Sequence, residues 1–266
     1  MTGNPRVLIV LMGLPSSGKS TIAKLLAKEL QVTYNLNNVV IGTDDVRQLI
    51  PSQIEKFDPT IEPFIKNLTL NAIQFSLRNN YSVINDDMNY YKSMRHELKE
   101  IAEENQAHFV LIHVEIPLET ALSWNEKRGL PIPQEVIRRV HDRFDPPGDY
   151  KWDDPLVTIQ SDEMSPESAT KMIISKLLPV IKTPYKREAP PLSTKPGINE
   201  KIDKITREII SEFAQLNKDP QLLKKVSKFR IQYLKNLPDK EIPMDSLTKD
   251  FSQKLQEFIS SIKQAK

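Results

Sequence analysis

Gly13-Leu14-Pro15-Ser16-Ser17-Gly18-Lys19-Ser20 is the stretch that decides the fold. It satisfies G-x-x-x-x-G-K-[ST] at every required place, directly after an apolar run at 7–12 and directly before a helical pattern at 19–29. The two glycines let the backbone wrap closely around phosphate, and successive N–H groups converge at a helix N-terminus. Lys19 neutralises the β- and γ-phosphates, the Ser20 hydroxyl can ligate Mg²⁺, and Thr21 completes the first helical turn. A nucleoside triphosphate site over residues 13–21 follows from residue type and context together.

Outward from the loop, short β-branched runs at 7–12, 39–42, 82–85, 109–114 and 156–159 alternate with helical patterns at 19–29, 62–78, 92–104, 118–127, 134–143 and 166–180. That alternation predicts an α/β fold, a P-loop kinase-like doubly wound parallel sheet. Between 183 and 199 four prolines and a glycine forbid a continuous helix and predict a linker. Three helical patterns follow, at 201–216, 221–237 and 246–263, with no strand among them. The expected organisation is a nucleotide-binding domain at 1–182, a Pro-rich linker at 183–199 and a small all-α domain at 200–266.

Of 266 residues, 39% are hydrophobic and 27% charged, which excludes a disordered chain; no apolar run approaches the ~20 residues a membrane span needs. A location in the cytoplasm and no membrane partner are expected. Without cysteine there are no disulfides and no thiolate chemistry, and His96, His108, His113 and His141 show no ligand spacing. The net charge of +2 hides an asymmetry: from Glu200 onward 14 Lys/Arg face 10 Asp/Glu, a net +4, leaving −2 on the first 199 residues.

Acids close the second and third strand runs, Thr43-Asp44-Asp45 with Arg47 and Asn85-Asp86-Asp87. In a doubly wound sheet the carboxyl ends of neighbouring strands meet beside the nucleotide. Asp44 can orient an acceptor hydroxyl and take its proton, Arg47 can hold the transferring phosphoryl, and Asp86 stands on the metal side with Ser20. The competing role for Thr43 or Asp44 is that of a helix cap. Asp87, Asn89, Tyr90 and Arg95 are candidates for the acceptor pocket, with Asn89 as an N-cap and Tyr90/Tyr91 as packing residues the alternative. A Gly/Pro loop at 128–133 flanked by Arg128, Arg138, Arg139 and Arg143 reads as a lid, with Arg128 the first candidate for catalysis. Trp152, in the irregular stretch 144–155, reads as a packing anchor.

These motifs resemble those of the L-seryl-tRNA(Sec) kinases and of their relative, the Elongator-associated P-loop ATPase that supports wobble-uridine modification. The landmarks are Gly13 to Ser20, Gly42-Thr43-Asp44 with Arg47, Asp86-Asp87-Met88-Asn89-Tyr90-Tyr91 with Ser93-Met94-Arg95, Ile132-Pro133, and Phe144-Asp145 with Lys151-Trp152-Asp153. The resemblance implies ATP with Mg²⁺ and phosphoryl transfer to a seryl hydroxyl through Asp44 and Arg47; on the ATPase side it implies a tRNA-stimulated accessory factor with an Elongator-type partner. The kinases carry two lid arginines four residues apart; here the first is Trp124 and only Arg128 remains, and Trp124-Asn125 is similar to the ATPase. The C-terminal helices carry Lys224, Lys228 and Lys235 on one face, a solvated surface or a phosphate contact from charge alone. The resemblance implies that this domain grips tRNA, with a strong salt dependence.

Overall fold

The computed structural model describes residues 6–55, 58–129, 131–186, 196–217, 220–235, 237 and 243–264. The chain divides into two compact units, Met1–Glu188 and Ala189–Lys266. The first is built on five parallel strands, β1 (Val7–Met12), β2 (Asn38–Ile41), β3 (Ser82–Asp86), β4 (His108–Glu115) and β5 (Val157–Gln160), in the order β2-β3-β1-β4-β5. Helices α1 (Lys19–Tyr34), α2 (Thr43–Gln48), α3 (Pro51–Glu55), α4 (Glu62–Arg78), α5 (Lys92–Glu104), α6 (Leu118–Lys127), α7 (Gln134–Asp142) and α8 (Pro166–Lys182) connect and cover it. The doubly wound parallel sheet expected from the strand–helix alternation is present.

β1 is buried along its whole length, so both of its faces are apolar. Val7, Ile9 and Leu11 meet Ile22, Leu26 and Leu30 of α1 and the inner face of α8. Leu8, Val10 and Met12 meet Ile73 and Leu77 of α4 and Leu98 and Ala102 of α5. With α1 on one face and α5 on the other, the crevice opens at the carboxyl ends of β1 and β3, which run in register from Leu8↔Val83 to Leu11↔Asp86. A third apolar cluster seats Ile137 and Val140 of α7 and Ala121 and Leu122 of α6 against Leu14 of the phosphate loop.

The second unit has three helices, α9 (Pro196–Leu216), α10 (Pro220–Lys235) and α11 (Met244–Gln264). Leu222 and Val226 of α10 pack on Phe251, Leu255 and Ile259 of α11. Helix α9 starts inside the stretch read as linker, with proline in its first turn where the missing N–H costs nothing; residues 187–195 of that stretch lie outside the described residues. Among the described residues no helix is long and apolar enough to cross a membrane.

Candidate nucleotide and phosphoryl-transfer site

The loop 13–18 is shaped by backbone rather than by side chains. Gly13 has φ +149°, and a Cβ there would lie 2.2 Å from the Val114 carbonyl oxygen, so only glycine lets β1 turn this close to β4. Ser16 (φ 64°) and Gly18 (φ 88°) also take left-handed conformations, the kind of backbone curl that makes an anion-binding concavity of successive N–H groups. Lys19 is buried, and its Nζ donates to the carbonyls of Gly13 (3.0 Å) and Leu14 (2.7 Å). Burial pushes the ammonium down to about 8, against the opposing pull of Asp86, Asp87 and Asp44.

Those three carboxylates converge on the loop. The Ser20 hydroxyl stands by Asp86, whose carboxyl is pushed above its usual range chiefly by burial, against the opposing pull of Ser20 and Lys19. An oxygen pair of this kind suits a hard cation such as Mg²⁺, which takes few protein ligands and keeps water and phosphate oxygens; among the described residues no group of three or more His, Cys, Asp or Glu could hold a metal. Ser20 and Asp86 are the residues that would hold it.

Asp87 takes a different place from the acceptor-pocket role expected of it. Its Oδ2 accepts from the Thr43 N–H at 3.4 Å and its Oδ1 from the Met88 N–H at 2.8 Å. It ties the N-terminus of α2 to the end of β3, and so fixes where Asp44, in the first turn of α2, stands. Asp44 is open to solvent, its side chain 87% exposed, and pairs with Arg47. Arg47 also forks onto Glu62 of α4 at 2.9 and 3.0 Å. Glu62 was missed in the sequence because fifteen residues separate the partners; a functional arginine's need for a carboxylate was the only available signal.

Asn89 and Arg95 are both buried and spend their donors on the frame. Asn89, 5% exposed and with φ 45°, donates through Nδ2 to the Leu11 carbonyl and to Asn85 Oδ1, both at 2.7 Å. It pins the ends of β1 and β3 together. Arg95 is fully buried and clamps Asp153 through Nε (2.6 Å) and a terminal nitrogen (2.7 Å), the other terminal nitrogen reaching the carbonyls of Asn89 and Asp145 at 3.1 Å. Four of its five N–H donors hold the 89–91 turn to the 145–153 loop. Tyr90 packs with the lid cluster and against Tyr91, ring centroids 4.1 Å apart, and burial raises its hydroxyl's pKa. Trp152 is the packing anchor expected, edge-on to His96 and Phe109.

The stretch read as a lid meets the loop at α6. Asn125, fully buried, lies 3.4 Å from Ser16 Oγ through its Oδ1 and donates to the Ile132 carbonyl at 2.6 Å, so one amide links the phosphate loop to the lid stretch. Trp124 stands beside Gly18. Arg128 is exposed at the C-cap of α6, with no side-chain hydrogen bond or ion pair among the described residues; Leu130, in the lid stretch, is outside them. In the second unit Lys228 is exposed on α10, while the side chains of Lys224 and Lys235 lie outside the described residues.

The family model of the chromatin associated protein KTI12 matches residues 7–265. The chain belongs to this family. It is 33% identical over 254 residues to L-seryl-tRNA(Sec) kinase of Methanococcus maripaludis, covering 92% of this chain and 96% of that one. It is 31% identical over 166 residues to protein kti12 of Schizosaccharomyces pombe, 59% of this chain and 58% of that one. The crystal structure of Chaetomium thermophilum Kti12 in complex with ADP-AlF3 shares the fold, with a TM-score of 0.53, 23% identity and coverage of 66% of this chain and 100% of that chain. The two groups resembled in the sequence are thus its relatives, and the family places the chain among P-loop enzymes of the kinase or ATPase class.

Proposed function

We propose that this chain is an ATP- and Mg²⁺-dependent enzyme acting on tRNA, and that it phosphorylates the seryl group of Ser-tRNA(Sec) to O-phosphoseryl-tRNA(Sec). The observation that carries it is the exposed Asp44 carboxylate, held at the lip of the phosphate loop by Asp87 and Arg47. A hydrolase needs only to admit water, whereas a carboxylate open to solvent can receive a macromolecule's hydroxyl. The near full-length match to a seryl-tRNA(Sec) kinase supports the same acceptor.

In this scheme Lys19 leaves the loop carbonyls for the β- and γ-phosphates, and Asp44 accepts the seryl proton as the oxygen attacks the γ-phosphorus and ADP leaves with the bridging oxygen. Arg47 and Arg128 meet the charge that develops on the equatorial oxygens. Bound Mg²⁺ would supply further neutralisation of the β/γ oxygens. The basic second unit, with Lys224, Lys228 and Lys235 along α10, grips the tRNA through its phosphates.

One observation favours a second reading, a tRNA-stimulated ATPase serving an Elongator-type modification enzyme. Trp124 stands at the loop where the kinases it resembles carry an arginine. The two are separated by incubating the protein with γ-labelled ATP and seryl-tRNA. Label in an O-phosphoseryl ester, lost in Asp44→Ala while ATP binding persists, is expected; free phosphate alone, stimulated by tRNA, refutes the kinase.

A further inference from the structure

We propose that Trp124 is the nucleobase-stacking residue of this site, its indole taking the face of a purine nucleotide whose phosphates occupy the loop 13–21. The proposal rests on the nucleotide-binding part of the function proposed above and is independent of the acceptor.

The sheet order sets the direction in which the nucleotide lies. Strands β3 and β2 flank β1 on one side, and β4 and β5 on the other. The groups assigned above to the reacting phosphoryl and its metal, Asp86, Asp44 and Arg47, all follow the ends of β3 and β2. A triphosphate with its γ end facing Asp44 must therefore carry its nucleoside away from it, toward the β4 side. Helix α6 follows β4, and its Trp124 stands against the loop: Cζ3 lies 3.9 Å from where a Cβ on Gly18 would be. Gly18 presents bare backbone there, with φ 88°.

The indole is held in place and not wholly covered. Part of it packs with the cluster of Leu14, Ile116, Ala121 and Leu122, and it remains partly exposed. The next residue, Asn125, is fixed without exposure between Ser16 and Ile132, which sets the rotation of the last turn of α6 against the loop. Arg128, one turn further along the same face, is free among the described residues to accompany the phosphate chain. An indole cannot replace an arginine as a phosphate clamp, having one N–H and no charge. What it offers a nucleotide is a broad π-face, and base stacking on such a face tolerates any purine. Tryptophan at position 124 thus leaves phosphoryl transfer to Arg47 and Arg128.

The test is calorimetric titration of the full chain with ADP and, separately, with inorganic tripolyphosphate, each with Mg²⁺. Trp124→Ala is expected to weaken ADP about tenfold or more and to leave tripolyphosphate unchanged, with Trp124→Phe recovering most of the loss. Because the chain has only two tryptophans, Trp152→Phe isolates the emission of Trp124; ADP should quench it and tripolyphosphate should not. Equal weakening of both ligands in Trp124→Ala, or unaltered ADP affinity there, overturns the proposal. If the wild-type chain binds neither ligand, the nucleotide site itself is refuted, an outcome distinct from either.

Discussion

Raising the pH should weaken nucleotide binding through Lys19. In the nucleotide-free protein burial holds its ammonium at about 8, against an ordinary value of 10.5. An anionic phosphate chain against Nζ favours the charged form and returns the pKa toward its ordinary value, so binding takes up a proton wherever the free protein has lost it. That deficit is a small fraction of a proton near pH 7 and almost a whole one near pH 9. Combining the free and bound titrations gives a roughly tenfold rise in Kd between about pH 7 and about pH 9, or ~1.4 kcal/mol. Unfolding does not imitate the effect. The unfolded chain keeps the Lys19 proton up to its ordinary pKa while the folded chain releases it near 8, so the cost of burying the charge is full below that point and disappears as the pH rises. Calorimetry of ADP with Mg²⁺ in buffers of different ionisation enthalpy counts the protons directly. Lys19→Arg supplies the control, because a guanidinium stays charged throughout and should flatten the profile. A wild-type Kd that does not change with pH, or a slope that persists in Lys19→Arg, refutes the reasoning.

Gly13→Ala places a methyl group 2.2 Å from the Val114 carbonyl oxygen at a φ of +149°; a loss of at least ~1–3 kcal/mol is expected from the strain alone, read as a lowered denaturation midpoint. Asp153→Ala leaves the fully buried Arg95 charge without its carboxylate and should cost about 3–5 kcal/mol in the same assay. The double replacement Arg95→Met with Asp153→Leu should restore most of that loss, since it removes the stranded charge; failure to recover would show that the pair's hydrogen bonds to Asn89 and Asp145 carry the stability instead.

The fold was legible because its signals are local. β1 is a run of six apolar residues buried on both faces, and α4, α5 and α6 span the residues their periodicity marks. Helix α3 escaped notice and α2 was read only as a possible cap at Thr43 or Asp44, because five and six residues are too few to show a period. The phosphate loop was legible for another reason: backbone N–H groups bind the phosphates, so the sequence must advertise the glycines that permit the turn. Side-chain partners across the crevice carry no such mark. Glu62 serves Arg47 from another helix, and Asn125 serves Ser16 and Ile132 from the far side of the loop.

Asp87, Asn89 and Arg95 show why the acceptor side is harder to read than the nucleotide side. All three follow a strand that ends in acids, and carboxylate, amide and guanidinium groups hold a substrate with the same donors and acceptors that hold a backbone. Residue type cannot tell the two uses apart; burial can. For Arg95 the sequence did contain the deciding signal, since it shares a face of α5 with Leu98 and Ala102, at spacings of three and seven, and all three are buried. A charged residue on the apolar stripe of a helix must turn inward, and an arginine that turns inward needs a carboxylate within reach. Asp153, beside the packing anchor Trp152, was one of the acids of the irregular loop. Helical periodicity applied to the charged positions as well as the apolar ones would have joined them, and would have moved Arg95 from the acceptor pocket to the frame that holds it.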